Sequence, residues 1–134
     1  MAPNEPACMK QATADPSALG LLGLAMVTLV ASSAKLGWTE GVSLVLPWAI
    51  FLGAFAQLFA SIIDFKKENI FGATAFGGYA FFWFGISMTW FIGLGVFGES
   101  AAAGADMHQL GVAFVGYLIF TLYMTVGSLE TNKV

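Results

Sequence analysis

The sequence predicts an all-α membrane protein, a polytopic transmembrane bundle with four helices in this chain. Two observations carry that reading. Of the 134 residues, 58% are hydrophobic and only 10% are charged, and the mean hydropathy is +0.81. A soluble domain of this length needs more polar surface than that composition supplies. The apolar residues also fall into four separate stretches, each close to or above the ~20 residues that a helix needs to cross a ~30 Å hydrocarbon layer. Stretches this long, without period-two alternation, are not barrel strands.

Taken in order, residues 1–14 form a polar leader and 15–134 one membrane domain. The leader holds Cys8, the single cysteine, so no intramolecular disulfide framework exists. The first helix is expected over 17–35. Asp15 is a favoured N-cap, and Pro16 suits the first turn because its missing N–H would be unpaired there anyway. The same helix start also offers free N–H groups and a positive dipole end, features that suit an anion. An ionised Asp15 would oppose that anion, so a functional Asp15 must be protonated or turned away, and it is expected to titrate near the substrate. The rival reading is a cleaved signal peptide with Ala18–Val30 as its core and Ser32–Ala34 as the cleavage site. Glu5 and Asp15 ahead of the core, and a long leader with one lysine, argue against it.

The second helix is expected over 41–63. Gln57, Ser61 and Asp64 follow at i, i+4 and i+7, one polar face, beside a small-residue stripe of Ala49, Gly53, Ala56 and Ala60. Such a pair of stripes belongs inside a bundle, where Gln and Ser serve either as interhelical hydrogen-bonding groups or as ligands. The third helix is expected over 72–97. Tyr79, Trp83 and Trp90 follow at i, i+4 and i+11, a face that serves packing or lines a pore. Tyr79 sits well inside the span, and its hydroxyl needs a partner. The fourth helix is expected over 109–129, after a glycine-rich loop carrying Glu99, Asp106 and His108.

Lysines orient the chain. Lys10, Lys66, Lys67 and Lys133 fall on one side and only Lys35 on the other. The positive-inside rule then places both termini and the Lys66-Lys67 turn in the cytoplasm of an inner (plasma) membrane protein. With no arginine and a net charge of −3, nucleic acid is not a partner. A lone histidine makes no metal site, and no nucleophile–base pair or paired carboxylates point to an enzyme or a cofactor.

Three segments carry a family resemblance. "DPSALGLLGLAM" from Asp15, "GAFAQLFASIIDFKKENIFGATAFGGYAFFW" from Gly53 to Trp83, and "GYLIFTLYMTVGSLETNKV" from Gly116 stand in the order of the acetate uptake transporter family. That family includes the bacterial succinate–acetate permeases. The resemblance implies a six-helix subunit of a homo-oligomer, a hexamer, with a pore through each subunit. It implies acetate and related short carboxylates as substrates, coupled to protons. The family's constriction joins an aromatic on the first helix, a tyrosine on the third and a leucine on the fifth. Here the tyrosine is Tyr79, but the aromatic is replaced by Leu24. Asp15 stands where the family has asparagine, and Ala18 where it has a second proline. Gln57 and Asp64 match a polar and an acidic position. The expected substrate pathway is therefore Tyr79, Leu24, Asp15, Gln57, Asp64 and Trp83. The chain ends where the family pattern continues into two more helices, so the alternative is a truncated or accessory subunit without transport of its own. An ammonium path is a weaker option, since the spans show no paired histidines.

Overall fold

In the computed structural model, which describes residues 13–131, the four apolar stretches form helices long and apolar enough to cross a membrane. They are α1 (Ser17–Lys35), α2 (Leu46–Lys66), α3 (Ile70–Gly93) and α5 (Met107–Thr131), with a short α4 (Glu99–Ala103) between the last two. Among the described residues there is no strand. Most of the leader, with Cys8 and Lys10, and Lys133 lie outside the described residues.

Local chemistry sets the helix ends. Asp15 Oδ1 accepts from the Ser17 N–H at 2.9 Å, capping α1. At its other end, Gly37 takes φ +72°. The Trp38 N–H then reaches Ser33 O at 2.9 Å and the Gly37 N–H reaches Ala34 O at 3.3 Å, the paired bonds that close a helix through a left-handed residue. Gly95, with φ +75°, closes α3 in the same way through Val96 N–H to Phe91 O at 3.1 Å, which is why α3 stops at Gly93 and not at 97. The second helix starts at Leu46 and not at 41: Gly41 has φ +72°, a turn follows, and Pro47 occupies the first helical turn. Between α2 and α3 the left-handed position is held by Glu68, φ +61°. Asn69 then caps α3, its Oδ1 accepting from the Gly72 N–H at 3.1 Å.

Part of α2 is not α-helical. Ala49–Ala56 is wound as a π-helix, with the α-helix resuming at Gln57. Segments of this kind recur at functional sites.

Small residues bring the helices together. A methyl on Gly23 of α1 would run into the Leu52 carbonyl of α2, and one on Gly53 would sit 2.8 Å from Trp83 Cγ of α3. The buried core is Val27, Ala49, Ala54, Trp83 and Ile86, contributed by α1, α2 and α3. The α5 helix packs on α3 through aromatic edges: Phe82 and Tyr117 ring centroids lie 4.8 Å apart, and Tyr79 and Phe120 5.5 Å apart. Only Met124 of α5 is buried, and Leu118, Ile119, Leu122 and Val126 stand exposed on its outer side.

Candidate functional site

The α2–α3 contact explains why α2 carries a polar stripe. Gln57 and Asp64 are fully buried and Ser61 nearly so. Ser61 Oγ donates to the Ala73 carbonyl at 2.7 Å, tying α2 to α3. Gln57 Nε2 donates to its own helix at Gly53 O, 2.6 Å, next to the end of the π-wound segment. The Asp64 carboxylate lies against Gly72, where any larger side chain would displace it. Glycine at 72 and a left-handed turn at Glu68 thus let a buried carboxylate approach the start of α3.

Tyr79 faces elsewhere. Its hydroxyl pairs with Thr121 Oγ1 of α5 at 3.0 Å, and the Tyr117 hydroxyl beside it donates to Gly78 O at 3.1 Å. The aromatic face expected on the third helix therefore divides. Trp83 is buried on the α2 side, with Trp90 6.5 Å from it, while Tyr79 turns to α5. A step of four residues advances ~40° around a helix, enough to separate two neighbours in a crowded bundle.

Asp15 sits at the start of α1, its side chain 70% exposed, with Oδ2 4.0 Å from Lys67 Nζ. The hydrogen bonds from Ser17, first its hydroxyl and then its N–H, hold the Asp15 carboxyl below the usual carboxylate range, and Lys67 acts in the same direction. The lowered pKa favours the ionised Asp15 carboxylate at neutral pH. Its charge is turned toward Ser17 and Lys67. At the opposite end, Asp106 Oδ1 accepts from the His108 N–H at 2.9 Å and contacts His108 Nδ1 at 2.7 Å, contacts that lower its pKa.

Leu24 is half-buried, one residue beyond the Gly23–Leu52 contact. Just past it, α1, α3 and α5 enclose a groove of about 210 Å³, open on one side. Its α1 wall is Thr28, Ala31, Ser32 and Lys35; its α3 wall is Phe82, Trp83, Ile86 and Trp90; Phe114 closes it from α5. The volume is below the ~300–1,000 Å³ of sites for drug-sized ligands, so the groove suits a small solute. Apolar walls with the Ser32 hydroxyl and the Lys35 ammonium favour a small anion with a short hydrocarbon part, while the Thr28 hydroxyl donates to the Leu24 carbonyl at 2.8 Å. Sequence reasoning missed Thr28, Ser32 and Lys35. Their spacing of i, i+4 and i+7 repeats that of Gln57, Ser61 and Asp64, and was the signal available. Among the described residues, no group of three or more His, Cys, Asp or Glu side chains could hold a metal ion.

The arrangement has relatives. A sequence profile of the GPR1/FUN34/yaaH family matches residues 1–133. The chain belongs to this family. It is 34% identical over 121 residues to the succinate-acetate/proton symporter SatP of Escherichia coli, covering 90% of this chain and 62% of that protein. It is 30% identical over 126 residues to acetate permease A of Emericella nidulans, covering 89% of this chain and 42% of that one. The solved structure of the bacterial acetate channel SatP superimposes with a TM-score of 0.77 at 33% identity, covering 87% of this chain and 62% of that one. The family, the helical membrane fold and the resemblance read from the three motifs agree. The chain spans less than two thirds of the length of these relatives.

Proposed function

We propose that this chain builds a pathway for acetate and related short monocarboxylates, or succinate, and that transport is coupled to protons. The observation that carries the proposal is the α1–α3–α5 groove. Its apolar and aromatic walls carry Thr28, Ser32 and Lys35, in a fold matching an acetate channel with a TM-score of 0.77.

In this reading a carboxylate enters beside Lys35, whose charge offsets part of the cost of removing the anion from water. Ser32 offers a hydroxyl on the α1 wall, where Thr28, bonded to the Leu24 carbonyl, presents mainly its methyl. The methyl or short alkyl part lies on Phe82, Trp83 and Ile86. Leu24 and Tyr79 narrow the way beyond the groove, with leucine leaving a wider and less rigid constriction than an aromatic. Gln57, Asp64 and Trp83 form the polar interior next to it, and Asp15 anchors the far end. The chain sits in the inner (plasma) membrane with both termini and the Lys66-Lys67 turn cytoplasmic, as the lysine distribution favours. It acts as a homo-oligomer and catalyses no covalent chemistry.

A second reading is an accessory subunit with no transport activity of its own. The open side of the groove and the exposed outer face of α5 favour it, since both suit a further helical surface. Uptake of labelled acetate into liposomes containing only this chain, under an inward proton gradient, decides between the two. Acetate also crosses bare bilayers as the neutral acid, so empty liposomes are the reference. An excess competed by propionate supports the pathway; no excess from folded, oligomeric protein supports the accessory subunit.

A further inference from the structure

The α2–α3 interface contains polar atoms that a carboxylate in the groove does not use. Among the described residues, the buried side-chain atoms without a protein hydrogen-bond partner are Gln57 Oε1, both Asp64 carboxylate oxygens, Trp83 Nε1 and Ser87 Oγ. Three contacts fix the register of these antiparallel helices: Asp64 against Gly72, Ser61 against Ala73, and Gly53 against Trp83. The same register carries Ser87 one turn beyond Trp83, level with Ala49. Asp64, Ser61, Gln57, Trp83 and Ser87 therefore follow one another along the interface at intervals of about one turn.

The spacing has a chemical meaning. Four residues of helix rise about 6 Å, and one water accepting and donating hydrogen bonds of about 2.8 Å bridges that gap. Buried polar groups in native proteins are rarely left unpaired, and ordered water is the usual partner where protein groups are out of reach. Here the row offers two carboxylate oxygens, the lone pairs of the Ser61 hydroxyl whose proton goes to the Ala73 carbonyl, an amide oxygen, an indole N–H and the Ser87 hydroxyl. The row spans roughly 20 Å, most of a ~30 Å hydrocarbon layer.

We propose that this row holds a column of bound water that conducts protons, with Asp64 as its protonatable end, separate from the carboxylate groove. A proton arriving from the Lys67 end binds the Asp64 carboxylate and makes the neutral acid. The acid passes it to the first water, which hands one of its own protons to the next, and no electrons move. Ser61, Gln57, Trp83 and Ser87 orient the waters and keep their protons. Trp83 is the partition between the two routes. Its five-membered ring lies on Gly53 of α2, while the residue also lines the groove. The charged groups near Asp64 are Asp15 at the start of α1 and Lys66, Lys67 and Glu68 in the turn; α5 ends on the same side with Glu130. On α3 no titratable side chain precedes Tyr79, which faces α5. Asp15 and Lys67 approach each other, which leaves Asp64 as the buried carboxylate on this side.

The proposal rests on the proton-coupled reading above and gives the proton its own route. Its test reads protonation and water directly, so the outcome does not depend on acetate movement. The full chain in liposomes is titrated by infrared difference spectroscopy. Beside the bands of the other seven Asp and Glu side chains, a carboxylic C=O component equivalent to one carboxyl per chain should appear as pH falls, shift in heavy water, and vanish in Asp64→Asn. Asp64→Glu, which keeps the carboxyl, should move the band without removing it, and this covers the case in which the asparagine variant fails to insert. X-ray radiolytic footprinting of the same sample and of Ser32→Phe, which fills the groove, should oxidise buried Trp83 as fast as the exposed Trp38 in both, because water in the α2–α3 row generates the radical beside it. A band unaltered by both Asp64 variants, or a Trp83 protected as its burial alone dictates, overturns the proposal. In parallel, Asp64→Asn should lose acetate accumulation driven by a pH gradient. If the wild type moves no acetate, the transport reading fails and the infrared and footprinting results still decide this one.

Discussion

Gly53→Ala asks whether Trp83 is held where the two routes meet. The added methyl would lie 2.8 Å from Trp83 Cγ and 3.1 Å from its Cβ and Cδ1. Those atoms sit at the root of a buried indole, close to the backbone, so they cannot swing away as a flexible chain end does. Phe82 packs edge-on at 5.3 Å and Trp90 lies at 6.5 Å, which limits where the ring can go. Overpacking of this kind costs ~1–3 kcal/mol. Replacing glycine by alanine within a helix returns ~0.5–1 kcal/mol. The expected net loss is thus about 1–2 kcal/mol, with the indole displaced toward the groove. Gly85→Ala is the internal control, because a methyl there meets nothing within 4 Å; it should gain roughly 0.5–1 kcal/mol. Unfolding of both variants in detergent, followed by tryptophan fluorescence, gives the difference. Equal shifts for the two variants would refute the packing argument, since backbone propensity alone would then explain both.

Other expectations follow from single contacts. Glu68→Gly should stabilise the α2–α3 turn by about 1 kcal/mol in the same assay, because a side chain at φ +61° carries a left-handed strain that glycine lacks; a loss of stability would contradict the turn geometry. The Asp15 carboxyl is held below its ordinary range. A depressed folded-state pKa stabilises above the unfolded value and loses that contribution as pH falls through the folded one. Asp15 therefore stays ionised between about pH 5 and 8, and Asp15→Asn should leave the shape of the uptake–pH profile there unchanged, whereas a displaced profile would assign Asp15 to proton coupling. Tyr79→Phe removes the hydroxyl bond to Thr121 and should cost about 1 kcal/mol of stability. Tyr79→Ala should also shift uptake selectivity toward propionate, and unchanged selectivity would remove Tyr79 from the pathway.

Much of the fold is legible in the residues. The spans are readable because burial of a hydrocarbon-crossing helix demands about 20 apolar residues in a row, and Gly37 and Gly95 mark two of the ends. The Gln57–Ser61–Asp64 stripe identifies the α2–α3 contact because buried polar groups must face other helices. The π winding of Ala49–Ala56 is not legible: its residues, Ala-Ile-Phe-Leu-Gly-Ala-Phe-Ala, read as ordinary helix formers, and the segment packs against both α1 and α3, contacts the sequence does not show. Nor does the sequence separate Tyr79 from Trp83. The division depends on where α5 docks, a contact made by aromatic edges without a fixed spacing in the chain. Thr28, Ser32 and Lys35 escape notice for a related reason, since each is unremarkable on a membrane helix until α3 and α5 close a groove around them.

The most direct test of the central claim is proton-driven uptake of labelled acetate by wild-type liposomes beside Ser32→Phe, a substitution that fills the α1–α3–α5 groove from an exposed position. The account predicts a wild-type excess over empty liposomes that falls to the empty-liposome level in the variant, with both proteins equally folded. A variant that takes up acetate as fast as the wild type would place the pathway outside this groove.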